Sequence, residues 1–216
     1  MSLSIASVPT SNLDKPGWYE RHQQKLAEIQ MRASSIRWVF LGDSIFQNWE
    51  ELATDSWQRL QSGLGALNLG FSGDRTEHVL WRIEHGQLDG YAAEGILLLI
   101  GTNNSGHRKD PAHVTAAAIQ TIVQQLKAKQ PNARIVLHAL LPRGKRPTNP
   151  FRAVNNAVND HIKNRAVTLN ATWFEASQLF IDEQGLMKDQ VMDDYLHPNV
   201  ETYTVWEKTL LSWLQG

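Results

Sequence analysis

Five short, continuous apolar runs separated by longer amphipathic segments constrain this chain most. The runs occupy residues 36–41, 66–69, 96–100, 134–141 and 166–174, each bounded by Gly, Asn or Pro. Because they are continuous rather than alternating, they predict strands buried on both faces, and hence a parallel sheet with helices on each side. Between them, residues 111–130 carry Val114, Ala118, Ile122 and Leu126 at helical spacing, with Asp110 placed to cap and Pro111 at the first turn. Helices are also predicted over 16–31, 76–85, 150–164 and about 200–214, with a helix-compatible stretch after the first strand. The expected fold is α/β, a three-layer αβα sandwich around a central, mostly parallel five-stranded sheet. In such sheets reactive groups gather on loops beyond the carboxyl ends of the strands.

Composition narrows the functions. The 216 residues include 42% hydrophobic positions and show no linker, repeat or like-charge block, so a single domain over 1–216 is expected, with 1–35 as an N-terminal helical segment packing on it. Absence of cysteine excludes a disulfide framework, a cysteine nucleophile and thiolate metal sites. A formal charge of −1 gives no field for nucleic-acid binding. The longest aliphatic run, 96–100, is far too short to span a bilayer, and the first 30 residues contain no apolar signal region. A cytoplasmic protein is expected.

Four strand-end segments carry chemistry. The first run leads into Leu41-Gly42-Asp43-Ser44-Ile45, where a serine at a sharp strand-to-helix turn stands clear of the sheet near the positive end of a helix dipole. That suits a nucleophile whose attack creates an oxyanion, and equally an N-cap. The second ends in Asn68-Leu69-Gly70-Phe71-Ser72-Gly73-Asp74, whose glycines allow close backbone approach. Gly63 and Gly65 precede their strand, so a dinucleotide loop fits poorly. The third ends in Gly101-Thr102-Asn103-Asn104, amide side chains that also serve as plain turn residues. Asp194 stands three residues before His197, close enough to orient the ring. The same spacing at Asp110 and His113 is assigned to helix capping.

In this order the four segments resemble the SGNH, or GDSL, hydrolase superfamily. Ser44 matches its nucleophile, Gly73 and Asn103 its oxyanion donors, and Asp194 with His197 its remaining catalytic pair. The stretches ALNLGFSGDRTEHVLWRIEHGQL, IGTNN and ALLPRGKRPTNPFRAVNNAVN look like the catalytic subunits of type Ib platelet-activating-factor acetylhydrolases. The family's usual GDSL reads GDSI here, changing only an apolar neighbour of the serine. The resemblance implies a flavodoxin-like SGNH hydrolase fold and a serine esterase working through an acyl-enzyme, on a small-molecule ester, with no metal or cofactor. It also implies a homodimer. Ile45, Thr102 and Leu196 adjoin three catalytic positions and are expected to crowd the acyl side, favouring acetyl and other short acyl groups. The alternatives are a lysophospholipase or thioesterase taking longer chains, or a partner-binding protein on the same fold.

The remaining conspicuous residues read as structural. Trp38 and Trp81 are expected in the core, whereas Trp49, Trp57, Trp206 and Trp213 suit a sugar-binding face or a subunit contact. Arg143, Lys145 and Arg146 read as a solvated loop that an anionic headgroup or partner could use, His107, Arg108 and Lys109 as exposed, and His138 as a buried histidine rather than a ligand.

Overall fold

The computed structural model describes residues 4–215; residues 1–3 and 216 of the expected domain lie outside it. Its sheet has the order β2-β1-β3-β4-β5, with β1 at Trp38–Asp43, β2 at Ala66–Phe71, β3 at Gly95–Leu99, β4 at Arg134–His138 and β5 at Thr172–Phe174. Every neighbouring pair is parallel, with Trp38 opposite both Ala66 and Gly95. The sheet is thus wholly rather than mostly parallel. Central β1 and its neighbours β2 and β3 are buried almost end to end, which is why their sequences show no alternation.

Among the described residues seven α-helices surround the sheet: α1 (Trp18–Arg32), α2 (Ser44–Glu51), α3 (Thr54–Leu64), α4 (Thr76–Arg82), α5 (Ala112–Lys129), α6 (Pro150–Lys163) and α7 (Val200–Gln215). Right-handed crossovers reverse direction between β1 and β3, so α2 and α3 cover one face while α4, α5 and α6 pack side by side on the other. Helix α7 returns to the first face. There Trp49 and Trp206 stack with centroids 4.6 Å apart, and Phe40, Phe46, Trp57 and Tyr203 join them in an aromatic core. The reversal opens a crevice at the carboxyl ends of β1 and β3, where ligands bind in doubly wound sheets. None of the described helices is long and apolar enough to cross a membrane.

Three local expectations are corrected. Helix α3 has no counterpart in the predicted elements, because only Trp57 and Leu60 of its residues are buried hydrophobics and its apolar stripe is thin. The fifth apolar run forms a strand only at Thr172–Phe174; the chain before it turns, with Asn170 at φ 44°. Asp110 does not cap α5: its carboxylate takes two hydrogen bonds from Arg108 and one from Asn104. A charged guanidinium holds a carboxylate more strongly than a backbone N–H does.

His138 is buried as expected. Its Nδ1 lies 2.6 Å from the Ala139 carbonyl oxygen, its Nε2 has no partner, and burial pushes its pKa down to about 4. The unfolded chain therefore binds a proton below about pH 6.5 that the folded protein refuses until about pH 4. His138 stability is fully present above 6.5 and is lost as pH falls through that window, a total on the order of 3 kcal/mol. The expected result for His138→Gln is a shallower fall in stability between pH 6.5 and 4 than in the parent, read from urea unfolding at each pH. Equal slopes would contradict it.

Candidate active site

Strand β1 passes into α2 with no intervening residue, so Ser44 is the first helical residue and its N–H has no acceptor within the helix. Asp43 Oδ1 accepts the next N–H, from Ile45, at 3.0 Å and caps the helix. Its Oδ2 has no partner among the described residues, and burial pushes this carboxyl up to about 7 against the opposing pull of the Ile45 hydrogen bond. Asn68 on β2 donates to the Phe46 carbonyl oxygen at 2.7 Å, and the Tyr203 hydroxyl donates to that of Ile45 at 2.6 Å. The turn carrying Ser44 is therefore held from both flanks.

The loop before α7 brings up the second half of the site. Ser44 Oγ lies 3.0 Å from His197 Nε2, although 153 residues separate them, and His197 Nδ1 lies 2.6 Å from Asp194 Oδ2. Asp194 Oδ1 also accepts the backbone N–H groups of Leu196 and His197 at 3.0 and 2.8 Å. Burial acts to raise the Asp194 pKa, but these hydrogen bonds and His197 outweigh it and hold the carboxyl below its ordinary value. Tyr195 adopts φ 58°, the tight turn that folds the carboxylate back onto the ring. Asn199 fixes the end of the loop, accepting from the Thr202 N–H and hydroxyl at 3.0 and 2.8 Å.

Gly73 and Asn103 stand at the ends of β2 and β3. Gly73 has φ 78°, which glycine adopts without strain, and no acceptor for its N–H is found among the described residues. Asn103 is almost wholly buried and donates one amide proton to the Asp74 carbonyl oxygen at 2.9 Å, and the other has no acceptor among the described residues.

Beneath them runs a buried ion pair that sequence alone does not reveal. Arg82 Nε donates to Asp74 Oδ2 at 2.8 Å, and its other nitrogens reach the Leu69 and Gly42 carbonyl oxygens at 3.2 and 3.1 Å and Gln87. Trp18 of α1 donates to Asp74 Oδ1 at 2.6 Å. The carboxyl ends of β1 and β2, the Gly73 turn and the N-terminal helix are thereby tied to one guanidinium. Asn104 links the loops after β2 and β3, donating to the Thr76 hydroxyl and Asp110 and accepting from the Thr76 N–H.

The expected acyl-side residues lie differently. Ile45 belongs to the hydrophobic core, and Thr102 is buried with its hydroxyl accepting from Asn155 at 3.1 Å. Leu196 alone of the three is half-buried. Beside His197 a cavity of about 500 Å³ opens along α2 between Asn48, Leu52, Pro198 and Val200. No group of His, Asp or Glu among the described residues is arranged to hold a metal ion.

A sequence profile of the GDSL-like lipase/acylhydrolase family matches residues 40–205. The chain belongs to this family. It is 36% identical over 203 residues to platelet-activating factor acetylhydrolase IB subunit alpha1 of Bos taurus, covering 92% of this chain and 84% of that one. The alpha2 subunit from the same organism is 33% identical over 196 residues, covering 89% and 82%. In three dimensions the fold matches a GDSL-like lipase from Bacteroides thetaiotaomicron with a TM-score of 0.74 at 18% identity, covering 91% of this chain and 97% of the other. The protein is an ester hydrolase on the SGNH/GDSL fold.

Several residues of this hydrolase take positions that the sequence reading did not assign. Arg143 is half-buried, donating to the Thr102 carbonyl oxygen at 2.9 Å and packing over the Phe151 ring, whereas Lys145 and Arg146 are exposed. Arg108 is half-buried and bridges Glu77 and Asp110, while its neighbours His107 and Lys109 are exposed. Trp49, Trp57 and Trp206 are core residues, and Trp213 packs partly buried on Phe174. A sugar-binding face made of these four is thereby ruled out.

Proposed function

We propose that residues 4–215 act as one serine esterase of short acyl esters, in which Ser44, His197 and Asp194 form a catalytic triad. The observation that carries this is the unbroken chain from Ser44 Oγ through His197 to Asp194, at 3.0 and 2.6 Å. His197 takes the proton of Ser44 as Oγ attacks the ester carbonyl, then gives it to the departing alcohol. Asp194 orients the imidazole and stabilises its charged form. The oxyanion is held by the N–H groups of Ser44 and Gly73 and by the free amide proton of Asn103. Water enters with His197 as base, returns the acid and frees Ser44. Each step is completed by protein groups and water.

Short acyl groups, acetyl first, are favoured by the closeness of the walls. Ser44 is 7% exposed and Asn103 4%, and the half-buried Leu196 precedes His197. The acetylhydrolase names of the two curated relatives point the same way. Turnover of acetyl, butyryl and octanoyl esters of one alcohol tests this: kcat/KM falls along the series, and a preference for octanoyl overturns the small acyl site in favour of a lipase-like or thioesterase role. A homodimer and a cytoplasmic location are proposed on the resemblance alone; sedimentation equilibrium tests the first.

A further inference from the structure

Most cations near the site are already neutralised: Arg75 and Arg108 by Glu77 and Asp110, Arg82 by Asp74, Arg21 by Glu50. Lys15 and Arg143 are different. Among the described residues neither has a carboxylate within 4.0 Å. The Lys15 ammonium donates to Ser72 Oγ at 3.2 Å and lies 3.0 Å from the point a Cβ on Gly73 would occupy, so it hangs directly over that candidate oxyanion donor. Arg143 stands on the Asn103 side. Its Nη1 donates to the Thr102 carbonyl oxygen at 2.9 Å, and the guanidinium carbon sits 5.0 Å from the centroid of the Phe151 ring. Gly106 leaves room for it, since a Cβ there would come within 2.5 Å of Nη1.

Position singles out this pair from ordinary solvated charges. Arg143 is half-buried, anchored through one nitrogen, and no protein acceptor for its Nε or Nη2 is found among the described residues. A guanidinium partly removed from water with free donors gains more from an anion than a fully hydrated one does. The exposed His107 lies in the same positive field: what desolvation it has, and then the charges of Arg75, Arg143 and Lys15, lower its pKa.

We propose that Lys15 and Arg143 form a subsite for an anionic group carried by the ester substrate, a carboxylate, sulfonate or phosphate a few bonds from the scissile carbonyl. The subsite rests on the ester hydrolysis proposed above and specifies which esters are taken. Two cations flanking the oxyanion donors raise the local concentration of an anionic ester and fix its orientation through the Arg143 fork. Lys15 gives the N-terminal segment a part in substrate selection as well as in packing.

The test compares 3-acetoxybenzoate with neutral 3-acetoxybenzamide, each kcat/KM divided by the ester's hydroxide-catalysed rate to remove leaving-group differences. The intact protein prefers the benzoate by about tenfold at low salt, and the preference shrinks toward unity in about 0.5 M NaCl as the charges are screened. Lys15→Met and Arg143→Met each lower the benzoate-to-benzamide ratio by about fivefold, and Lys15→Glu lowers it further. Because the salt series uses the unaltered protein, it decides the matter even where a variant folds poorly. Cleavage of both esters without preference, or a preference that neither salt nor substitution moves, overturns the subsite and leaves the esterase standing. Failure to cleave either ester overturns both.

Discussion

Replacing Ser44 by alanine is expected to abolish the acylation burst with an activated acetyl ester and to lower kcat by roughly 10⁵ to 10⁶, the scale on which serine hydrolases lose turnover with their nucleophile. The fold should survive. Ser44 contributes its hydroxyl to no structural contact other than His197, and the helix it begins is capped by Asp43 rather than by the serine itself. Unchanged circular dichroism and thermal unfolding, alongside lost burst kinetics, would therefore assign the loss to chemistry. A variant that kept its burst would remove Ser44 from the mechanism, because among the described residues no other hydroxyl contacts the His197 ring.

Asn103→Ala is expected to cost roughly 10² to 10³ in kcat, the price of one donor to a developing oxyanion. The loss should fall on kcat far more than on KM, since the hydrogen bond strengthens as charge accumulates on the oxygen. Asn103 also donates to the Asp74 carbonyl oxygen, so its removal frees one acceptor in the turn beside Gly73. Asn103→Asp separates the two roles: it keeps the size of the side chain but places a carboxylate against the oxyanion and the Asp74 carbonyl. Its kcat should lie below that of the alanine variant. A drop confined to KM in Asn103→Ala would move this residue from oxyanion stabilisation to ground-state binding.

Much of this architecture is legible in the sequence because parallel strands bury both faces. Residues 96–100 are apolar because their strand is flanked by β1 and β4, and the segments 42–45, 70–74 and 101–104 stand at the strand ends. The pairing of Asp194 with His197 is equally local, three residues in one turn. What the sequence conceals is set by tertiary contact. Arg82 looks like an ordinary helical arginine until Gly42, Leu69 and Asp74 converge on it, and Lys15 meets Ser72 across 57 residues. Arg143 sits in a run of prolines and cations that resembles a solvated loop, yet Gly106, far away in the chain, makes the space it fills. The misassigned Asp110 has the same cause: capping spacing is a local signal, and Arg108 with Asn104 outcompete it in the folded chain.

The central claim is that His197 activates Ser44 above every other hydroxyl in the protein. Treatment with a fluorophosphonate, followed by peptide mass spectrometry, tests it directly: one phosphonyl group per chain on Ser44, formed in step with loss of esterase activity and absent from His197→Ala. Complete inactivation with Ser44 unmodified, or an adduct on Ser44 forming equally fast without the imidazole, would contradict it.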